Sequence, residues 1–154
     1  MKQINNYIFE HLHITKDTGK QEYHYHPKNE YELKKIINKL IKERGYDADL
    51  NDIDTSEITD MSDLFYNSSF NGDISDWNVS NVEDMGCMFK FSAYNGDISK
   101  WDVSNVRFMN NMFEGSCFNG DISKWDVSNV KYMEDIFCAC ALEKYNNLPK
   151  WYKE

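Results

Sequence analysis

The stretch NGDISDWNVSNVEDMGCMFKFSAY, residues 71–94, is the first of three consecutive copies of one 24-residue unit. The second copy spans residues 95–118 and the third spans 119–142, and all share the pattern NGDISxW[DN]VSNVxxMxx[MI]F. A fixed period of this length is typical of chains that stack one structural unit on the next, because a single unit cannot bury its own apolar face. The repeat therefore predicts a stack of coils.

The repeat continues in weaker form at both ends. Upstream, residues 50–70 keep the apolar columns and predict a degenerate first unit. Downstream, Leu148 and Trp151 keep the spacing of the third copy's isoleucine and tryptophan, which predicts a closing strand at residues 148–152. The expected division is a leader at 1–28 with a short helix, a hairpin or both, a capping helix and linker at 29–49, and a coil region at 50–154 with units 50–70, 71–94, 95–118 and 119–142.

Within each unit, the apolar spacing predicts a strand followed by a helical turn. Residues 74–79 have the spacing of the strand in a leucine-rich repeat, and residues 82–89 change to the three-and-four spacing of a helix. Ser80 is placed as its N-cap, with Glu83 completing a capping box. The Asn-Gly-Asp opening predicts a turn in which glycine supplies a positive φ angle.

The expected fold class is an α/β repeat. It is a short, leucine-rich-repeat-like, right-handed solenoid with a parallel sheet on one face and short helical turns on the other. Asn29 and Glu32 form a second capping-box pattern, and the apolar stripe that follows runs to Gly45. We expect this segment to be a helix that caps the first coil.

The motif FNGDISxW[DN]VSNVxxMxxMF resembles the BspA-like leucine-rich repeat of bacterial surface proteins, lipoproteins and some phage or mobile-element proteins, a domain of unknown function. The resemblance covers about residues 50–142. It implies a parallel-strand solenoid and a binding or adhesion role, and it carries over no catalytic residue. Unlike the surface members, the chain shows no secretion signal and no apolar stretch of membrane-spanning length, so we expect a cytoplasmic protein, in the host cytoplasm if phage-encoded.

Charge is divided unevenly along the chain. Residues 1–50 hold nine Lys/Arg and eight Asp/Glu, whereas residues 51–154 hold eight and eighteen, within an overall net charge of −9. Because phosphate contacts require Lys and Arg, so acidic a coil region argues against direct nucleic-acid binding. Solubility alone explains such a charge, and a protein partner with a basic surface is the sharper alternative.

Histidine and cysteine give only weak candidate sites. The leader holds all four histidines, at His11, His13, His24 and His26, which could form a metal site only if their two segments paired. No acidic or cysteine ligand lies at suitable spacing nearby, so we expect no metal and no cofactor. By their repeat columns, Cys117 and Cys140 are expected to pack inside, and Cys87 and Cys138 to lie nearer water.

The outward columns of the predicted strands supply the candidate binding face. Its residues are Asp76, Asn78, Lys100, Asp102, Lys124 and Asp126. Phe108 and Tyr132 depart from the template, because they occupy the column that holds aspartate in the earlier units. Together with Arg107, they are expected to lie side by side as exposed interface anchors; the alternative is that they pad the groove between neighbouring turns.

The sequence favours a protein without catalytic activity. It shows no Ser/His/Asp arrangement and no glycine-rich phosphate loop, and Asp73, Asp97 and Asp121 are turn residues at one repeated position. The first hypothesis is a protein–protein interaction module, monomeric or weakly dimeric, without membrane contact. The alternative is a phage or mobile-element inhibitor that blocks a host defence protein, for example a nuclease or CRISPR effector, by acidic mimicry. A third hypothesis is an adhesin fragment.

Overall fold

A computed structural model describes residues 22–153 of the chain. Within this range there are two helices, α1 at Glu30–Arg44 and α2 at Ala141–Lys144. Extended segments in the described range pair only through isolated parallel bridges, each one residue long. The rest of the described chain consists of turns and short extended links.

Helix α1 has the ends that the sequence predicts. The side chain of Asn29 accepts a hydrogen bond from the Glu32 amide at 3.0 Å, and the Glu32 carboxylate accepts from the Lys28 amide at 2.9 Å. Gly45 ends the helix with φ +94° and donates its amide to the Ile41 carbonyl. Leu33, Ile37 and Leu40 are buried in the common core, so the predicted helix is confirmed.

The 24-residue period reappears as hydrogen bonds between successive coils. The Met85 amide donates to the Phe108 carbonyl at 2.9 Å, and one repeat later the Met109 amide donates to the Tyr132 carbonyl at 2.8 Å. The four tryptophan indoles also bond backward along the stack, to the carbonyls of Leu50, Ile74, Ile98 and Ile122. The last of these donors is Trp151, so the closing segment takes the tryptophan position of a further unit.

The predicted parallel sheet is wrong. Each coil turns too often for a strand to form, because the Asp73 carboxylate accepts from the Ser75 amide and the Asn78 side chain accepts from the Ser80 amide. Backbone hydrogen bonds from Trp77 to Ile74 and from Val82 to Val79 close both corners. The extended stretches between corners therefore hold only a few residues, and residues 148–152 form no strand either.

The predicted helical turns are also wrong. Alternate amides in the stretch after Met85 do bond to the carbonyl three residues earlier, but Cys87 and Phe91 have φ of +55° and +57°. These left-handed residues turn their amides toward the next coil, where they bond to Asn110 and Glu114. The three-and-four apolar spacing thus marks a series of tight turns, and Ser80 does not cap a helix.

No glycine of the Asn-Gly-Asp openings has a positive φ. These glycines are needed for space instead. A Cβ on Gly72 would collide with the Ala48 carbonyl oxygen, and one on Gly120 would lie 2.8 Å from the Phe118 ring. The prediction of a positive φ angle here is therefore wrong. The requirement for glycine comes from the neighbouring coil or aromatic ring.

Stacked aromatic rings form much of the core. One column holds Phe65, Phe89, Phe113 and Phe137, whose successive ring centroids are 5.6, 5.6 and 5.9 Å apart. A second column stacks Tyr94 between Phe70 and Phe118 at 6.2 and 6.4 Å. Because each ring contacts its copies above and below, every internal coil depends on both neighbours.

Candidate functional site

Three of the five parallel bridges in the described chain run through one column of residues, which we call the bridge column: Asp60, Asp84, Phe108 and Tyr132. Its chemistry changes along the stack from carboxylates to aromatic rings. Phe108 and Tyr132 lie parallel, with centroids 5.2 Å apart and an interplanar angle of 1°. The predicted contact is therefore confirmed, and the two residues are 36% and 49% exposed.

A polar groove lies beside the bridge column. It has a volume of about 590 Å³ and is lined by Asn81, Glu83, Asn105, Arg107, Asn129 and Lys131. Each asparagine donates its side-chain amide to a serine carbonyl of the preceding coil at 2.7–2.8 Å, which fixes the floor of the groove. Arg107 pairs with Glu83 at 3.3 Å, and both are about half exposed, so this ion pair contributes little to stability.

The residues predicted to form a binding face are all exposed. They are Asp76, Asn78, Lys100, Asp102, Lys124 and Asp126. The Ser104 hydroxyl and amide hold the pKa of Asp102 below its ordinary value, and those of Ser128 do the same for Asp126. These carboxylates are therefore ionised at neutral pH, and their hydrogen bonds also form the corners of the coils.

The structure brings together a group of carboxylates that the sequence did not reveal. Glu30, the first residue of α1, lies beside Asp60, and the neighbouring carboxylate raises the pKa of Glu30. Burial raises the pKa of Asp84, with repulsion from Asp60 and Asp63 as a further cause. The only signal in the sequence is the repeated aspartate, because the approach of α1 depends on tertiary packing.

The acidic charge is concentrated in the early coils. Residues 51–94 carry nine Asp/Glu and one Lys, whereas residues 95–154 carry nine Asp/Glu and seven Lys/Arg. Arg107 and Lys131 lie next to Phe108 and Tyr132 in the chain. The aromatic end of the bridge column is therefore also its basic end.

A second exposed aromatic pair involves residues that also depart from the template. Tyr66 and Phe91 meet edge to face at 6.1 Å and are 49% and 46% exposed. The Lys90 ammonium lies 5.3 Å from the centre of the Phe91 ring and also pairs with Glu114 at 2.7 Å. This aromatic pair is therefore held by contacts within the chain.

The described histidines form pairs with carboxylates. His24 lies 3.5 Å from Asp52 and His26 lies 3.3 Å from Asp54, whereas His11 and His13 lie outside the described residues. Between residues 22 and 153, no three His, Cys, Asp or Glu side chains are arranged to hold a metal ion.

The described cysteines are free thiols. Cys140 is buried and Cys138 exposed, as their repeat columns predict. Cys117 is exposed, so its predicted packing role is wrong. Burial raises the pKa of both the Cys87 and the Cys140 thiols, which disfavours the reactive thiolate.

These features define a repeat protein of stacked 24-residue coils, with α1 on the first coil and a tryptophan-bearing segment on the last. The chain belongs to the family described as Mycoplasma protein of unknown function, DUF285, whose model matches residues 32–151. Comparisons with curated proteins and with solved structures gave no match. Neither helix in the described part of the chain is long and apolar enough to cross a membrane.

Proposed function

We propose that this chain is a noncatalytic protein-interaction module of the BspA-like repeat type. The observation that carries the proposal is the parallel, half-exposed pair formed by Phe108 and Tyr132. Aromatic rings that are ordered before binding lose little conformational entropy when a partner covers them. Arg107 and Lys131 precede the two aromatic residues in the chain and provide charged groups in the neighbouring polar groove.

The regular backbone supports the same proposal. Hydrogen bonds between coils hold the Phe108 and Tyr132 backbones in register. In both residues the amide donates to the preceding coil and the carbonyl accepts from it. The exposed residues of the predicted binding face repeat at the same period along the stack. A surface of this kind suits a large, preformed protein interface.

The test is affinity capture from the source organism, followed by binding measurements with the purified partner. Combined Phe108→Ala and Tyr132→Ala substitutions should weaken binding by about tenfold or more, as expected for central aromatic anchors. The matched control is Tyr145→Ala, which removes a 58% exposed tyrosine located just after α2. Equal binding by the double variant and the wild type, with both proteins folded, would refute the role of the aromatic pair.

A second candidate, inhibition of a host defence protein by acidic mimicry, is favoured by the charge of the early coils. In this case a basic cleft would contact residues 51–94, and binding should fall steeply between low and physiological salt. Substituting Asp76 by Asn should then weaken binding, whereas the Phe108 and Tyr132 substitutions should have little effect. Salt-independent binding would exclude this mechanism.

A further inference from the structure

The last coil lacks the partner that every internal coil has. Inside the stack, alternate amides donate to the next coil at 2.8–2.9 Å: those of Met109, Asn111, Phe113 and Gly115 bond to the carbonyls of Tyr132, Glu134, Ile136 and Cys138. In the reverse direction, the Arg107 carbonyl accepts from the amides of Lys131 and Tyr132. Together these bonds form the parallel pairing on both sides of a bridge residue.

In the last coil the same groups are unpaired. Among residues 22–153, the amides of Met133, Asp135 and Phe137 have no hydrogen-bond partner, and the Lys131 carbonyl accepts no hydrogen bond. The fourth amide of the series, Ala139, is capped by the Glu143 carboxylate at 2.7 Å. Phe137 is only 1% exposed beneath the rings of Trp151 and Tyr152. We therefore call the unpaired backbone of residues 131–135 the terminal edge.

Apolar side chains beside this edge are also incompletely covered. Val127, Val130 and Met133 are only partly buried, whereas their equivalents one coil earlier, Val103, Val106 and Met109, are at most 1% exposed. The closing segment covers the other half of the coil, where Trp151 bonds to the Ile122 carbonyl and its ring lies 5.7 Å from Phe137. The uncovered half is therefore a ledge beside the closing segment.

Charge specifies what would fit on this ledge. In the column before the bridge residues, Glu83 pairs with Arg107, and Lys131 follows with no carboxylate at ion-pair distance in the described chain. Tyr132 likewise stacks on Phe108, is 49% exposed, and has no second ring of residues 22–153 stacked on it. A further segment with an acidic residue opposite Lys131 and an aromatic residue opposite Tyr132 would continue both columns.

We propose that the terminal edge binds an extended segment of a partner protein, added in parallel to residues 131–135. The segment's amide bonds to the Lys131 carbonyl, and its alternate carbonyls accept from Met133 and Asp135. Its side chains follow the pattern of an internal coil: aliphatic on Val130 and Met133, acidic beside Lys131, aromatic on Tyr132. This inference rests on the proposed function, since it names the kind of partner that such a module would bind.

The probe is the capped peptide VSNVEYMNNIF, which combines residues of the second and third copies with glutamate opposite Lys131. Amide hydrogen exchange of the whole chain, followed by NMR, reports the edge directly. In the free protein, the Asp135 amide should exchange far faster than the matched internal amide of Asn111, and saturating peptide should slow it by about tenfold or more. A peptide with lysine in place of the glutamate should bind more weakly.

Reversing the charge of single lysines provides the matched control. Lys131→Glu should reverse the preference between the two peptides, whereas Lys124→Glu, the same change elsewhere on the coil, should leave it unaltered. The proposal fails if neither peptide slows exchange at millimolar concentration. It also fails if the Asp135 amide is already protected in the free monomer, which would mean that another part of this chain covers the edge, or if protection rises with dimerisation, which would identify a second copy as the occupant.

The two proposals can fail separately. Phe108→Ala removes a ring from the exposed pair without altering the backbone groups of the edge, so edge protection by the peptide should persist in that variant. Loss of partner capture in this variant with retained peptide protection would support both surfaces. Retained partner capture with peptide protection would refute only the role of the aromatic pair.

Discussion

At the residue scale, Tyr94 is a local exception in an otherwise apolar column. Its ring stacks between Phe70 and Phe118, and its hydroxyl is buried without a hydrogen-bond partner among the described residues. Burial also raises its pKa, so the neutral phenol is retained at physiological pH. Because a buried, unpaired hydroxyl loses its water contacts, it costs about 1–3 kcal/mol.

Tyr94→Phe should therefore increase the free energy of unfolding by about 1 kcal/mol or more, measured by urea denaturation. The reciprocal change in the same column, Phe118→Tyr, should decrease it, since Phe118 is fully buried and the new hydroxyl would lose its water contacts. A destabilised Tyr94→Phe variant would show that the hydroxyl is hydrogen bonded in solution.

At the element scale, the bridge column joins neighbouring coils but also brings carboxylates close enough to repel one another. The Asp84 side chain accepts from the Gly86 amide at 2.7 Å, yet burial and nearby Asp60 and Asp63 raise its pKa. A carboxyl group whose folded-state pKa is raised stabilises the fold below its unfolded pKa and loses that contribution as pH rises. Ionised Asp84 is thus unfavourable at neutral pH.

Asp84→Asn keeps an acceptor for Gly86 and removes the charge, so at pH 7 it should stabilise the fold by roughly 0.5 kcal/mol. The gain should disappear near pH 3, where Asp84 of the wild type is also neutral. Asp97→Asn is the matched control, because the Ser99 amide lowers the pKa of Asp97 and its charge is favourable. Thermal unfolding at both pH values measures the difference, and a gain that is independent of pH would contradict the electrostatic explanation.

At the scale of the whole molecule, stability comes from interfaces between neighbouring coils. Met85 and Met133 occupy the same repeat column, but Met85 is fully buried between two coils and Met133 is covered on one side. Met85→Ala should cost about 2–5 kcal/mol, and Met133→Ala clearly less. Chemical denaturation of both variants tests this, and equal costs would show that the end of the stack is as well covered as its centre.

The sequence predicted the features that depend on local pattern. Asn29 and Gly45 marked the ends of α1, because capping and termination are local hydrogen-bonding events. The period placed Phe108 beside Tyr132 and Trp151 in a tryptophan position, because stacked copies bring equal columns together. Each of these predictions needed only the register of the repeat.

The path of the backbone inside a coil was not predictable in the same way. Strand and turn both place Ile74, Trp77 and Val79 inside, and the side-chain bonds of Asp73 and Asn78 decide for turns. Likewise, helix and successive turns both bury Met85, Met88 and Phe89, and the left-handed conformation of Cys87 and Phe91 decides between them. Apolar spacing reports which side faces the core and leaves the backbone geometry open.

The sequence by itself determined the 24-residue period, the capping helix and the adjacency of the exposed aromatics, since these follow from repetition and local capping. Only the tertiary structure decided that coils pair through single bridges, that α1 brings Glu30 to Asp60, and that residues 131–137 keep groups with no partner among residues 22–153. The physical reason is that hydrogen-bond pairing and charge proximity depend on which segments meet in space, and no one segment contains that information.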